Sequence, residues 1–301
     1  MNLKQLEFAV ALAEEGNFTR AAQRCNVVQS ALSHQIARLE EELGTRLFER
    51  RPRQVRVTPA GEALLGQARL ALEATRRIPA EVAAVSGEVR GSLTLGMISS
   101  LDLFDIVELL AAFHGRFPQI DIALRQEHSE SLLEAVRQRS IDLAFVGVPP
   151  STALDGVEQR LLAKEELVAV LPAGHPLAGR ARLHLEELLA LPLVDFPAGS
   201  SARQQTDTAF AALGLSRRVR FEISHIHLLE RFVRRGLAVG LAPTSTAATF
   251  HGLPRVPVCD APSRRVYAIW PHDPTAATRE LLVELERVLA RAGLGAGRPA
   301  P

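Results

Sequence analysis

Apolar residues near the N-terminal end recur at intervals of three and four. Leu3, Leu6, Val10 and Ala13 form one such stripe, which predicts a helix with a single buried face ended by Gly16. Asn17 is suited to cap a second helix burying Phe18, Ala21, Ala22 and Cys25. A third helix buries Leu32, Ile36, Leu39 and Leu43, and Gly44 fits its C-terminal cap. In "RLFERRPRQVRVTP" two short apolar-bearing arms flank Pro52-Arg53-Gln54, the pattern of a β-hairpin.

A long helix follows. Thr58 is a good N-cap, Pro59 suits the first helical position, and Glu62 lies in the first turn near the positive end of the helix dipole. Leu64, Ala68, Ala71, Thr75, Ile78, Val82 and Val85 repeat as the a and d positions of a heptad. That pattern serves either a helix–helix seam or one face laid on a core. Pro79 sits inside it and is expected to kink or end the helix nearby.

From residue 89 onward strands and helices alternate. "SLTLGMI" predicts a strand, then a Ser99-Ser100 turn and a helix at about 102–115. "QIDIALRQ", "IDLAFVGV", "ELVAVLP", "LPLVDF", "VRFEIS", "LAVGLAP" and "RVYAIW" read as strands. Helices are expected over "SESLLEAVRQR" and at about 201–213, 226–235 and 275–291. Such alternation predicts parallel sheets flanked by helices, in two α/β lobes.

Composition adds limits. The chain has 301 residues, 47% hydrophobic and 23% charged, which is ordinary for a folded soluble protein of two or three units. Its net charge is +1, so no global field marks a nucleic-acid binder and charge placement must decide. Cys25 and Cys259 lie far apart, which argues against a disulfide framework and against a cysteine metal site. The first apolar stretch is broken by Glu7, Glu14 and Glu15, unlike a signal peptide. No apolar run approaches the roughly 20 residues of a membrane span. The expected location is cytoplasmic, with no membrane partner.

Candidate chemistry concentrates in the third helix. Its buried stripe leaves Gln29, Ser30, Ser33, His34 and Arg38 on the opposite side. A helix in the DNA major groove needs short side chains that donate or accept at base edges, and Gln suits adenine. A solvated face usually carries Glu, Lys and Arg, but here Glu40, Glu41 and Glu42 cluster at the far end. Arg46, Arg50, Arg51, Arg53 and Arg56, against Glu49 alone, give the hairpin a basic cluster able to meet phosphates.

Taken together, "NFTRAAQRCNVVQSALSHQIARLEEELGTRLFERRPRQVRVTPAGEALL" resembles the N-terminal signature of LysR-type transcriptional regulators. Phe18, Ala21, Ala22, Gln29, Ala31, Ser33, Ile36, Leu39, Glu40, Leu43, Gly44, Leu47, Phe48, Arg50, Thr58, Pro59 and Gly61 fall on that pattern. "GSLTLG", "GHPLAG" and "VRRGLAVGLAP" carry the resemblance more loosely downstream. Two positions depart from it. Val28 stands where the family usually has Ser or Thr as the recognition-helix cap, and Gln54 where the wing often has Gly.

The resemblance implies a multidomain α and α/β fold. A winged helix-turn-helix would occupy residues 1–58 and a dimerising linker helix 59–88. A two-lobed effector-binding domain resembling type 2 periplasmic binding proteins would occupy 89–301. Its lobe I would span about 89–161 plus 266–301, and its lobe II about 162–265. DNA contacts are implied at Thr19, Arg20, Gln29, Ser30, Ser33, His34 and Arg38, and at Arg51 and Arg53 of the wing. The implied effector pocket holds Ser99, Ser100, His128, Phe196, Ser200, Ser201 and His225. Ser99 and Ser100 precede a predicted helix, so either plain capping or an anion site is open to them. His225-Ile226-His227 invites metal, pocket and surface readings, and no metal is expected.

Implied partners are double-stranded promoter DNA, RNA polymerase, a second copy or a tetramer of the chain, and a small-molecule effector, organic acids being among the candidates. No other cofactor is expected. Two other classes fare worse. A solute-binding protein would lack the N-terminal region and carry a secretion signal. An enzyme would need a nucleophile, metal or cofactor constellation, and neither a G-x-S-x-G elbow, a P-loop nor H-E-x-x-H is present.

Overall fold

The structure, a computed structural model, describes residues 1–51, 54–85 and 88–294. The chain forms two compact units, the first built on Met1–Glu88 and the second on the chain from Val89.

In the first unit, α1 (Leu3–Glu15), α2 (Phe18–Arg24) and α3 (Gln29–Leu43) precede strands β1 (Phe48–Arg51) and β2 (Gln54–Val57) and helix α4 (Pro59–Val85). Local chemistry sets each boundary. Asn2 and Gln5 form a reciprocal capping box on α1, and Gly16, at φ +59°, closes it in the left-handed region that glycine tolerates. Asn17 Oδ1 accepts from the Thr19 and Arg20 amides at 2.8 and 3.2 Å. Gly44, at φ +66°, ends α3.

The buried stripe of α1 differs from expectation. Leu3 is exposed and Val10 and Ala13 are half-buried, while Leu6, Phe8, Ala9, Ala11 and Leu12 are buried. The reason is that α1 packs against α2, α3 and α4 together, so more than one face is covered. Leu43, expected in the core, is 42% exposed at the last turn of α3. Glu40 also turns inward. Its Oε1 accepts from the Leu47 and Phe48 amides at 2.7 and 3.0 Å and so fixes the start of β1. The hairpin is antiparallel, with Phe48 opposite Val57. Its expected turn at Pro52-Arg53 lies outside the described residues.

Thr58 Oγ1 accepts from the Gly61 amide at 3.0 Å and donates to the Arg46 carbonyl at 2.8 Å. A Cβ on Gly61 would lie 2.3 Å from the Leu47 carbonyl oxygen, so only glycine permits this approach of α4 to the hairpin. The helix runs six residues beyond Pro79, to Val85, and therefore does not end there.

The second unit holds one nine-stranded mixed sheet. Its first half comprises β3 (Gly91–Met97), α5 (Ile106–Arg116), β4 (Ile120–Gln126), α6 (Ser129–Arg137) and β5 (Leu143–Val148). The long β6 (Glu158–Val170) leads onward to β7 (Leu193–Asp195), α7 (Ser201–Ala212), β8 (Val219–Glu222), α8 (Ile226–Arg234), β9 (Val239–Pro243), α9 (Thr244–Thr249) and β10 (Arg255–Pro257). Then β11 (Ser263–Trp270) and α10 (Ala276–Arg291) return to the first half. Along the sheet the order is β4-β3-β5-β11-β6-β9-β7-β8, with β10 beside β6.

The expected parallel pairing holds for β3 with β4 and β5, and for β7 with β8 and β9. It fails at the centre. There β6 runs antiparallel to β9, β10 and β11, and β11 antiparallel to β5. These two strands pass between lobes instead of belonging to one βαβ unit. The segments α9 and β10 escaped the sequence reading because each is only a few residues long.

Each lobe has its own core. Lobe I packs Leu93, Leu95, Leu109, Phe113, Phe145, Val266, Leu281 and Leu285. In lobe II the sheet divides two clusters. Leu167, Ala169 and Leu171 face Phe210 and Leu241, whereas Val170 faces the other side with Val194, Ile226 and Phe250. All six residues of β5 are buried, the consequence of helices covering both faces of a sheet.

Candidate DNA-reading surface and effector cleft

Helix α3 presents the surface its sequence suggested. Leu32, Ile36 and Leu39 are at most 1% exposed. On the other side Gln29, Ser30, His34 and Arg38 are exposed and Ser33 is half-buried. Thr19 and Arg20 are exposed on the first turn of α2, and Arg20 pairs with Glu15 at 3.4 Å. Arg53 lies outside the described residues, and the side chain of Arg51 is not among those described. Since Glu40 is turned inward, Glu41 and Glu42 alone mark the acidic end of the helix.

Val28 occupies the N-cap position, with extended backbone at φ −74°, ψ 145° and no side-chain cap. It is 68% exposed. A Ser here would satisfy one of the free amides of the first turn. We expect Val28→Ser to stabilise the first unit by about 0.5–2 kcal/mol. An unchanged melting temperature would remove Val28 from the cap position.

In the second unit a cleft of about 50 Å³ opens between the lobes. Ser99, Ser100, His128, Phe196 and Ser201 line it. Two predicted pocket residues lie elsewhere. Ser200 caps α7, accepting from the Arg203 amide at 3.3 Å and donating to the Pro197 carbonyl at 2.8 Å. His225 is exposed at the N-cap position of α8, and His227 is exposed two residues further on, in the first turn.

Neither reading of Ser99 and Ser100, plain capping or an anion site at a helix end, holds, because no helix begins beside them. The helix starts at Ile106, and Asp105 Oδ1 already accepts from the Val107 and Glu108 amides at 2.8 and 3.3 Å. Ser100 is drawn instead to a buried ion pair. Arg264 Nη1 donates to Ser100 Oγ at 2.6 Å and Nη2 to the Ser100 carbonyl at 2.8 Å. The same guanidinium donates to Glu165 Oε2 from Nε at 2.9 Å and from Nη2 at 2.7 Å. Glu165 Oε1 accepts from the Ser245 amide at 3.1 Å, and Thr246 Oγ1 donates to the Ser100 carbonyl at 3.3 Å. Burial pulls the Arg264 guanidinium down from its usual range and Glu165 opposes this. One network thus joins the β3–α5 turn, strands β6 and β11, and the start of α9.

A second buried pair fixes Phe196. Asp195 accepts from Arg217 at 2.6 Å, Thr206 Oγ1 at 2.8 Å and the Phe196 amide at 2.7 Å. Burial pushes the Asp195 carboxyl up, while Arg217, Thr206 and the Phe196 amide pull it down.

Sequence reading missed Glu127, Glu130, Gln205 and Arg264, all of which line the cleft. Gln205 had a signal: it stands four residues after Ser201, on the same face of α7. Arg264 had none, because its partner is 99 residues away.

An exposed polar face on the third helix of the first unit, together with a polar cleft between two α/β lobes, is the arrangement of a transcriptional regulator with an effector-binding domain. Residues 3–62 match the family described as bacterial regulatory helix-turn-helix protein, lysR family, and residues 86–290 match the LysR substrate binding domain. The chain belongs to the LysR family of DNA-binding transcriptional regulators and is not an enzyme. The transcriptional dual regulator GltC of Bacillus subtilis is 34% identical over 248 residues, 82% of each chain. A probable hydrogen peroxide-inducible genes activator of Mycobacterium leprae is 34% identical over 239 residues, 79% of this chain and 76% of its own. A full-length OxyR variant from Pseudomonas aeruginosa is 26% identical with a TM-score of 0.71, covering 100% of this chain and 99% of that one.

Proposed function

We propose that this regulator works as a dimer or tetramer, paired along α4, and that a small molecule in the interlobe cleft changes how it holds DNA. The observation that carries the pairing is the apolar seam of α4: Ile78, Val82 and Val85 are 57, 64 and 90% exposed. A heptad stripe left open to water has the form of a helix–helix contact awaiting its partner. Pairing would set two α3 helices about one DNA turn, roughly 34 Å, apart or at a multiple of it. The target is then an interrupted palindrome, which we place near the protein's own gene.

In this reading 1–58, 59–88 and 89–301 are the working domains. Gln29, Ser30, Ser33 and His34 read bases, while Thr19, Arg20, Arg38, Arg51 and Arg53 meet phosphates. Ligand binding shifts the arrangement through differential affinity for two states and alters recruitment of RNA polymerase in the cytoplasm. Cys25 is half-buried in the first unit, where burial pushes its thiol up, and neither it nor Cys259 lines the cleft. The reading is therefore one of ligand binding without a thiol in the cleft.

Light scattering on Val82→Asp tests the pairing. We expect a smaller particle than wild type, and an unchanged mass would place the contact elsewhere. Arg51→Ala and Arg53→Ala test the phosphate contacts. Each should weaken binding to all sequences and reduce the slope of log affinity against log salt by about 1. A change confined to one base pair would instead make that arginine a base reader.

A further inference from the structure

Within the cleft read above as the effector site, Gln205 is only 8% exposed, yet its amide makes no hydrogen bond among the described residues. The amide is not sealed from water: it lies at the wall of the cleft, with its donor and its acceptor both open to a ligand. Ser99 Oγ and the His128 ring are likewise without a hydrogen bond among the described residues.

The other polar groups of the lining, Glu127 apart, are engaged. Ser100 and Arg264 belong to the Glu165 network. Ser129 Oγ donates to the Gly147 carbonyl at 2.9 Å and accepts from its amide at 3.1 Å. Ser201 Oγ donates to Glu130 across the cleft.

Charge narrows the ligand. Glu127 and Glu130 stand on the lobe I rim, and Arg264, the fixed cation of the described lining, is already paired with Glu165. An organic acid without a positive group would therefore meet two carboxylates and no open guanidinium or ammonium. Helix α7 offers the opposite chemistry. Its first-turn amides point their positive end at Ser201, and its cap, Ser200, takes up only the Arg203 amide. Glu130 already lays its own carboxylate there.

Resting on that reading of the cleft, we propose that the effector is a small zwitterion carrying ammonium and carboxylate on one head, as an α-amino acid does. Its ammonium donates to Glu127, Glu130 and the Gln205 amide oxygen. Its carboxylate displaces Glu130 from Ser201 and accepts from Ser201 Oγ, Ser99 Oγ and the Gln205 amide nitrogen. The space of about 50 Å³ holds a few waters, at roughly 10–15 Å³ each, or one such head.

The experiment titrates the full-length protein by calorimetry with the proteinogenic L-amino acids, each set against the acid of the same skeleton lacking the amine. The expected result is that one amino acid binds and its amine-free counterpart binds at least tenfold more weakly. Gln205→Leu and Gln205→Met should each weaken that amino acid at least tenfold, with Glu130→Gln acting in the same direction. An amine-free acid that binds equally well, and loses affinity in the Gln205 variants, overturns the zwitterion and leaves the cleft as the effector site. Binding indifferent to Gln205 in both variants overturns the cleft as the place of binding, and no binding by either set overturns the zwitterion alone. The wild-type comparison of each amino acid with its amine-free partner decides the class even if a variant misfolds.

Discussion

Glu165→Ala is expected to destabilise the second unit by about 3–5 kcal/mol, the range for removing one partner of a buried pair. Glu165 and Arg264 are 8 and 5% exposed and face each other across β6 and β11. Without the carboxylate, a guanidinium remains in a site that water barely reaches. The Ser245 amide also loses its acceptor. Trp270, the chain's single tryptophan, ends β11 and reports on this unit by fluorescence during urea unfolding. The double variant Glu165→Leu with Arg264→Met should recover most of the loss, because two apolar residues leave no charge unpaired. If Glu165→Ala unfolds at the wild-type urea concentration, the pair is solvated and the network does not hold the lobes.

Gln29→Ala should cost about 1–3 kcal/mol of discrimination at one base pair in each half-site, or roughly 5- to 150-fold. Gln29 is exposed at the first residue of α3, where a helix entering the major groove comes nearest the bases. Selection from a random duplex pool, run with wild type and variant side by side, reads the change as one relaxed position in the motif. The salt dependence should stay as in wild type, because no phosphate contact is lost. An unchanged motif together with unchanged affinity would mean that a different face of α3 meets the DNA.

These two expectations differ in how visible they were in the sequence. The face of α3 was legible because a helix carries its own ruler: Leu32, Ile36 and Leu39 define one side and Gly44 the end. The stripe of α1 was misjudged because three helices share it, and periodicity along one helix counts only one contact. Ser100 was assigned to a helix start because the nearer cap, Asp105, and the distant Arg264 compete for that stretch in ways no local pattern records. The Arg264–Glu165 register depends on how β11 lies along β6, including the irregularity between Val266 and Tyr267. Strand pairing at that separation is a property of the assembled sheet, so the floor of the cleft was the least legible part of the chain.

The path of β6 and β11 between the lobes has a consequence for synthesis. Every core residue of lobe II falls between Leu167 and Val258, one uninterrupted stretch. Lobe I begins earlier, at Leu93, but its core also needs Val266, Ala268 and Ile269 of β11 and Leu281, Leu285, Val288 and Leu289 of α10. On the ribosome, therefore, the lobe that starts first finishes last. Lobe II can close while lobe I still waits for its final strand and helix, with β3, β4 and β5 exposing apolar faces in the interval.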